Sequence, residues 1–147
     1  MKLSAKTRYG LASMVHLAMK HGSGKLYTIA SISDELDISK IYLEQVFSHL
    51  RCSGLVTSVK GARGGYHLSR APRDIFVYDI IYSLENSLFE PCPETVKSKA
   101  PYIDKALKNE VFDVLDDSVE KTLSKITLSD LANSVIESQN CGYMYYL

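Results

Sequence analysis

The chain has 147 residues, 46% hydrophobic and 23% charged. That is the mix of an ordinary globular protein, able to bury about 68–70% of its unfolded surface without disulfides or metals. No apolar run approaches the ~18 residues of a membrane span, and the start M-K-L-S-A-K-T-R-Y-G has no apolar stretch behind it, so neither a secretory signal nor a membrane partner is expected and the chain reads as cytoplasmic. The zero net charge hides an asymmetry: through Arg73 there are 11 Lys+Arg against 4 Asp+Glu, and after it 6 against 13. A basic first half suits a surface that meets a polyanion, and chance clustering of solvated charges produces the same pattern.

Helical periodicity comes first. Leu11, Met14, Val15, Ala18 and Met19 mark one apolar face and predict a helix over about 5–20, ended by Gly22 and Gly24. Thr28 reads as the N-cap of a short helix carrying Ile29, Ile32 and Leu36; Asp37 and Ile38 form a tight turn. Ser39 is the expected cap of the next helix, with Leu43, Val46, Phe47 and Leu50 inward and Gly54 closing it. The period then falls to two. Leu55 to Lys60 and Tyr66 to Ser69, joined by G-A-R-G-G, predict a β-hairpin.

After Pro72 a helix is expected from about Val77 to Glu85, with Ile80, Ile81 and Leu84 inward. Pro91 and Pro93 mark 86–100 as a loop. Pro101 opens a long helix of about six turns on which Ile103, Leu107, Val111, Val114 or Leu115, Val119, Leu123 and Ile126 form a narrow apolar stripe. A stripe so long and thin suits pairing with a second helix better than a core. Thr127 or Ser129 begins a last short helix, and the chain ends G-Y-M-Y-Y-L.

Helix, short helix, tight turn, helix and hairpin make the plan of a winged helix-turn-helix: a mostly α protein with a small β wing and a long dimerisation helix. The expected division is a DNA-binding domain over 1–85, a loop over 86–100, and a dimerisation helix with tail over 101–147. A helix fits the ~12 Å major groove, and its first turns meet base edges. Here they carry Ser39, Lys40, Tyr42, Glu44 and Gln45. Gln45 suits adenine, Glu44 a cytosine amine, and Lys40 guanine or phosphate. His49 and Arg51 fall where backbone is met. On the wing Lys60 and Arg63 are contact candidates with Gly64; an Arg on such a tip suits the narrow minor groove. Thr28, Lys6 and Arg8 complete the candidate set. The other reading of these cations is a solvated surface, which would make the chain an interaction module with no DNA role.

The segments L-S-A-K-T-R-Y-G, S-K-I-Y-L-E-Q-V-F-S-H-L-R and G-L-V-T-S-V-K-G-A-R-G-G-Y-H-L closely resemble the IscR/NsrR/CymR family of bacterial winged-helix repressors, over nearly the whole chain. The resemblance implies a homodimer joined through the long helix and bound to a palindromic double-stranded operator. Many members of that family sense through an iron–sulfur cluster held by cysteines in the loop before the dimer helix. Here that loop offers only Cys92; Cys52 and Cys141 lie elsewhere, and the four histidines lack metal-ligand spacing. A cluster needs four good ligands, so no metal or cofactor is expected, and Cys92 is kept as a redox candidate. A redox- or metal-sensing regulator of the same fold is the alternative.

The cluster-free layout and the tail look most like the CymR branch, which represses cysteine and sulfur metabolism. That branch implies regulation through cysteine synthase, an enzyme that accepts a partner's C-terminal residue in its active site. Tyr143, Tyr145, Tyr146 and Leu147 would form such a peptide, or would pack back on the dimer as core. One departure concerns the helix near Val77: the family usually has a Thr cap where this chain has Phe76, and Asp74 is the expected replacement. Nothing in the sequence has the layout of an enzyme: there is no phosphate-binding loop opening a helix and no nucleophile set beside a base.

Overall fold

The computed structural model describes residues 2–145, with side chains through residue 142. Seven helices and one hairpin follow in order: α1 Ala5–Met19, α2 Ile29–Leu36, α3 Lys40–Cys52, β1 Val56–Val59, β2 Gly65–Leu68, α4 Val77–Leu84, α5 Pro101–Leu107, α6 Asp113–Leu123 and α7 Leu128–Tyr145. Single 3-10 turns at Pro72–Asp74 and Asn86–Leu88 flank α4. The core is built where the helical period put it. Met14 and Leu17 of α1, Ile32 of α2 and Leu43, Val46, Phe47 and Leu50 of α3 are all buried, with Ile80 and Leu84 of α4 closing the far side.

Local chemistry sets the boundaries. Thr28 caps α2 by accepting the Ser31 amide at 3.1 Å, and Asp37 ends it in the left-handed region at φ 52°, a conformation that Asp tolerates better than most residues. Ser39 stands at the N-cap of α3, but its side chain makes no capping bond. The cap expected of its hydroxyl is therefore not made. The missing cap of α4 is also supplied differently. Phe76 has no side-chain acceptor, and it is Asp79, not Asp74, whose Oδ2 receives the Phe76 amide at 3.4 Å.

Two expectations about the second half change. The long helix is not one uninterrupted α-helix: α5 runs into a π turn at Lys108–Phe112 before α6 begins. A π turn brings residues five apart onto one face. Lys108 Nζ uses that spacing, at 2.7 Å from both carboxylate oxygens of Asp113. The final helix is not short but 18 residues long. Thr127 and Asp130 cap it reciprocally, through Thr127 N to Asp130 Oδ2 at 2.9 Å and Asp130 N to Thr127 Oγ1 at 3.1 Å.

The start of α7 also crosses the division expected at residue 101. Leu128 is fully buried and Ala132 nearly so, both within the core built by α1, α3 and α4. A two-bond bridge fastens the crossing: Val77 N donates to Ile126 O, and Leu128 N to Ile75 O, each at 2.9 Å. The helix pair α5–α6 stands outside this core. Ile103, Val111, Val114 and Leu115 are 47–57% exposed, while Leu107, Val119, Leu123 and Ile126 are half-buried.

Candidate nucleic-acid interface

The hairpin pairs Val56 with Leu68 and Val59 with Gly65 in antiparallel register. Val56 and Leu68 enter the core, so the strands rise from it toward the Lys60–Gly64 tip. The tip is closed by Gly64 N to Gly61 O at 3.0 Å. Gly61 takes φ 112°, and a Cβ on Gly64 would collide with the Val59 carbonyl. Glycine is thus required at 64 by the turn itself, whatever else approaches it.

A contact absent from the sequence reading anchors the wing. Tyr27 and Tyr66 exchange both backbone hydrogen bonds, Tyr27 N to Tyr66 O at 3.0 Å and Tyr66 N to Tyr27 O at 2.8 Å. The segment before α2 becomes a one-residue third strand. The Tyr66 ring then lies 4.8 Å from that of Phe47 in α3, so wing and α3 are packed as one body. The only sequence signal for this was the L-Y pair just before the Thr28 cap.

On α3 the buried positions leave Lys40, Tyr42, Glu44, Gln45, His49 and Arg51 exposed on the remaining faces, with Ser39 exposed just before them. Tyr42 meets Tyr9 of α1 edge-on at 5.6 Å, which fixes the first turn of α3 against α1. Lys60, Arg63 and Thr28 are exposed too, and Gly64 is half-buried. Among the described residues, Lys40, Arg51, Lys60 and Arg63 take part in none of the ion pairs. Their charge is uncommitted, as a phosphate-binding surface needs. Arg8 is exposed on α1. Lys6 is half-buried, and its charge helps hold the Glu85 carboxylate in its ionised form.

The three thiols are free and exposed on three different elements, Cys52 at the end of α3, Cys92 in the loop before α5 and Cys141 on α7. Among the described residues no group of three or more His, Cys, Asp or Glu side chains is placed to hold a metal ion. The donor set of this chain does not fit a four-ligand iron–sulfur cluster. Cys92 instead lines a cleft of about 310 Å³ that carries charges of both signs, Lys97 and Lys105 beside Glu94, Asp104 and Asp116. Tyr146 and Leu147 of the tail lie outside the described residues, as do the side chains of Tyr143 and Tyr145. No helix among the described residues is long and apolar enough to cross a membrane.

Comparison with known proteins agrees with this architecture. Residues 3–134 match the family model Rrf2, described as an iron-dependent transcriptional regulator. The chain is 40% identical over 147 residues to the HTH-type transcriptional regulator CymR of Bacillus subtilis (strain 168), covering the whole of both. The solved structure of B. subtilis CymR, described as the global cysteine regulator, superposes with a TM-score of 0.73 at 39% identity, over 91% of this chain and 98% of that one. The structure of T. potens IscR does so with a TM-score of 0.74 at 39% identity, over 99% and 97%. The relatives are regulators and not enzymes, and this chain belongs to the Rrf2 family of winged-helix transcriptional regulators.

Proposed function

We propose that the chain is a homodimeric, sequence-specific repressor that acts on genes of cysteine and sulfur metabolism without an iron–sulfur cluster. The observation that carries the DNA reading is the joint body of α3 and wing. It presents Lys40, Gln45, Lys60 and Arg63 exposed on a support locked by the Tyr27–Tyr66 bridge and the Phe47–Tyr66 contact. In this account Gln45 and Glu44 read base edges, Lys40 meets guanine or phosphate, His49, Arg51, Lys6, Arg8 and Thr28 meet the backbone, and Arg63 enters the minor groove.

The apolar residues left exposed on α5 and α6 support pairing through this helix with a second copy. Two copies would present two reading heads to a palindrome. The sulfur branch is supported by full-length similarity to B. subtilis CymR. Its extension to a protein partner, cysteine synthase, rests on the tail sequence Tyr143 to Leu147 alone.

A genome-wide map of bound DNA in the source organism, with and without added cysteine, tests this reading. Promoters of sulfur uptake and cysteine synthesis should head the list. Promoters for iron–sulfur assembly in their place would contradict it. Exposure of Cys92 in the loop before α5 favours one second reading, redox sensing at this thiol. Operator binding that Cys92→Ser makes insensitive to peroxide would support that reading.

A further inference from the structure

At position 41, in the first turn of α3, stands an isoleucine with 70% of its surface exposed. A single exposed apolar residue is ordinary on a protein surface; the meaning of this one lies in its direction. The buried residues of α3 are Leu43, Val46, Phe47 and Leu50. At 3.6 residues per turn Ile41 falls within roughly 20° of the direction opposite the middle of that face. No other large apolar residue of α3 points outward in this way. Its neighbours on the outer surface are Lys40, Glu44, Gln45 and Ser48, all exposed and all able to hydrogen-bond. The contact of Tyr42 with Tyr9 holds this turn in place.

We infer that Ile41 is a specificity-determining residue that reads a thymine. The inference rests on α3 being the helix that enters the groove, and it names what that helix selects there. Nearly every group that a base pair presents in the major groove is a hydrogen-bond donor or acceptor, and the apolar exception is the C5-methyl of thymine. A branched aliphatic side chain pointing straight away from the core cannot satisfy a donor or acceptor. It gains by covering that methyl and loses by desolvating a cytosine amine or a guanine oxygen. The half-site is therefore expected to hold a thymine at one fixed position next to the bases read by Glu44 and Gln45.

The test begins by selecting a high-affinity duplex from a random pool with the full-length protein, then replaces each thymine in turn by deoxyuridine, which removes only the methyl. The parent protein should lose roughly fourfold in affinity at one thymine per half-site, the worth of one buried methyl group. Ile41→Ser, whose fold is checked by its melting temperature, should bind the thymine and uracil forms of that position equally while matching the parent at every other thymine. Indifference of the parent to every replacement would overturn the inference, as would a serine variant that keeps the same sensitivity at the same position. Selection of no duplex at all would refute the DNA-binding reading beneath it, an outcome distinct from both.

Discussion

The Thr7 hydroxyl donates a 2.8 Å hydrogen bond to Glu85 Oε2, tying the first turn of α1 to the residue that ends α4. The same oxygen accepts the Ser4 amide at 2.9 Å, while Ser4 Oγ caps α1 through the Thr7 amide at 3.2 Å. Thr7 is fully buried. One carboxylate therefore satisfies the N-terminus of α1 and ties it to the end of α4. These donors, the Ser4 amide foremost and the Thr7 hydroxyl next, hold the Glu85 carboxyl below its ordinary 4.5.

Because the folded-state pKa of Glu85 is depressed, its contribution is complete above the ordinary carboxylate value and is lost as pH falls through the lowered one. Thr7→Val should cost about 1.5–3 kcal/mol at neutral pH, the range for a hydrogen bond to a charged group. Glu85→Gln should flatten the acid limb of the stability curve. Urea titrations at a series of pH values below neutrality measure both.

His16 titrates in a separate window. Its Nε2 lies 3.2 Å from Glu35 Oε2 without hydrogen-bond alignment, and its ring meets Tyr27 edge-on at 6.2 Å. Burial pushes its pKa below 6.5, Lys20 adds to the shift and Glu35 opposes it. The folded state thus disfavours the imidazolium, so stability is complete above 6.5 and declines as pH falls toward the lowered value. The parent should lose stability as pH falls from 6.5 through the lowered value, and His16→Gln should lose less over the same interval. Equal slopes in the two proteins would count against this role.

Gly65 adopts φ 152°, and a Cβ there would lie 2.9 Å from the Tyr27 carbonyl carbon and oxygen and 3.0 Å from its nitrogen. Those atoms are backbone and cannot swing aside. Gly65→Ala should therefore break the Tyr27–Tyr66 bridge, destabilise the fold by about 1–3 kcal/mol and weaken duplex binding through a displaced wing. Thermal melts together with fluorescence anisotropy on a selected duplex report the two effects.

The elements of the first half were legible because each had a local cause. Thr28 capped its helix, Leu43, Val46, Phe47 and Leu50 repeated at helical spacing, and the glycines at 61, 64 and 65 permitted the turn. The contacts that join these elements were not legible. Thr7 meets Glu85 across 78 residues. Gly10 passes so close to the side chains of Leu84 and Val46 that a Cβ there would force Leu84 to shift, and a glycine in mid-helix carries no local sign of that contact. The π turn at Lys108–Phe112 hid because an apolar stripe repeating at three and four tolerates a change of phase. The burial of Leu128 and Ala132 depends on where the stalk returns the chain, which no local pattern specifies. Asp79 took the capping role expected of Asp74 because the N3 side chain reaches back to the cap amide.

Val114 is 54% exposed on α6, on the face that the proposed homodimer would cover. Val114→Asp should leave helical content unchanged, reduce the sedimenting mass to that of one chain and lower affinity for a palindrome by on the order of 10²-fold, because the second half-site no longer benefits from linkage. Retention of the dimer would place the pairing surface elsewhere.

Equilibrium binding of the full-length protein to a selected palindrome and to a scrambled duplex, across a salt series, tests the central claim most directly. The palindrome should be preferred, and log affinity should fall linearly with log salt as phosphate-bound counterions are released. Arg63→Ala should lower affinity on the palindrome. Gln45→Ala should narrow the preference at one base position by about 1–3 kcal/mol. Equal, salt-insensitive binding to both duplexes, unaltered by either substitution, would contradict the assignment of α3 and the wing as the reading head.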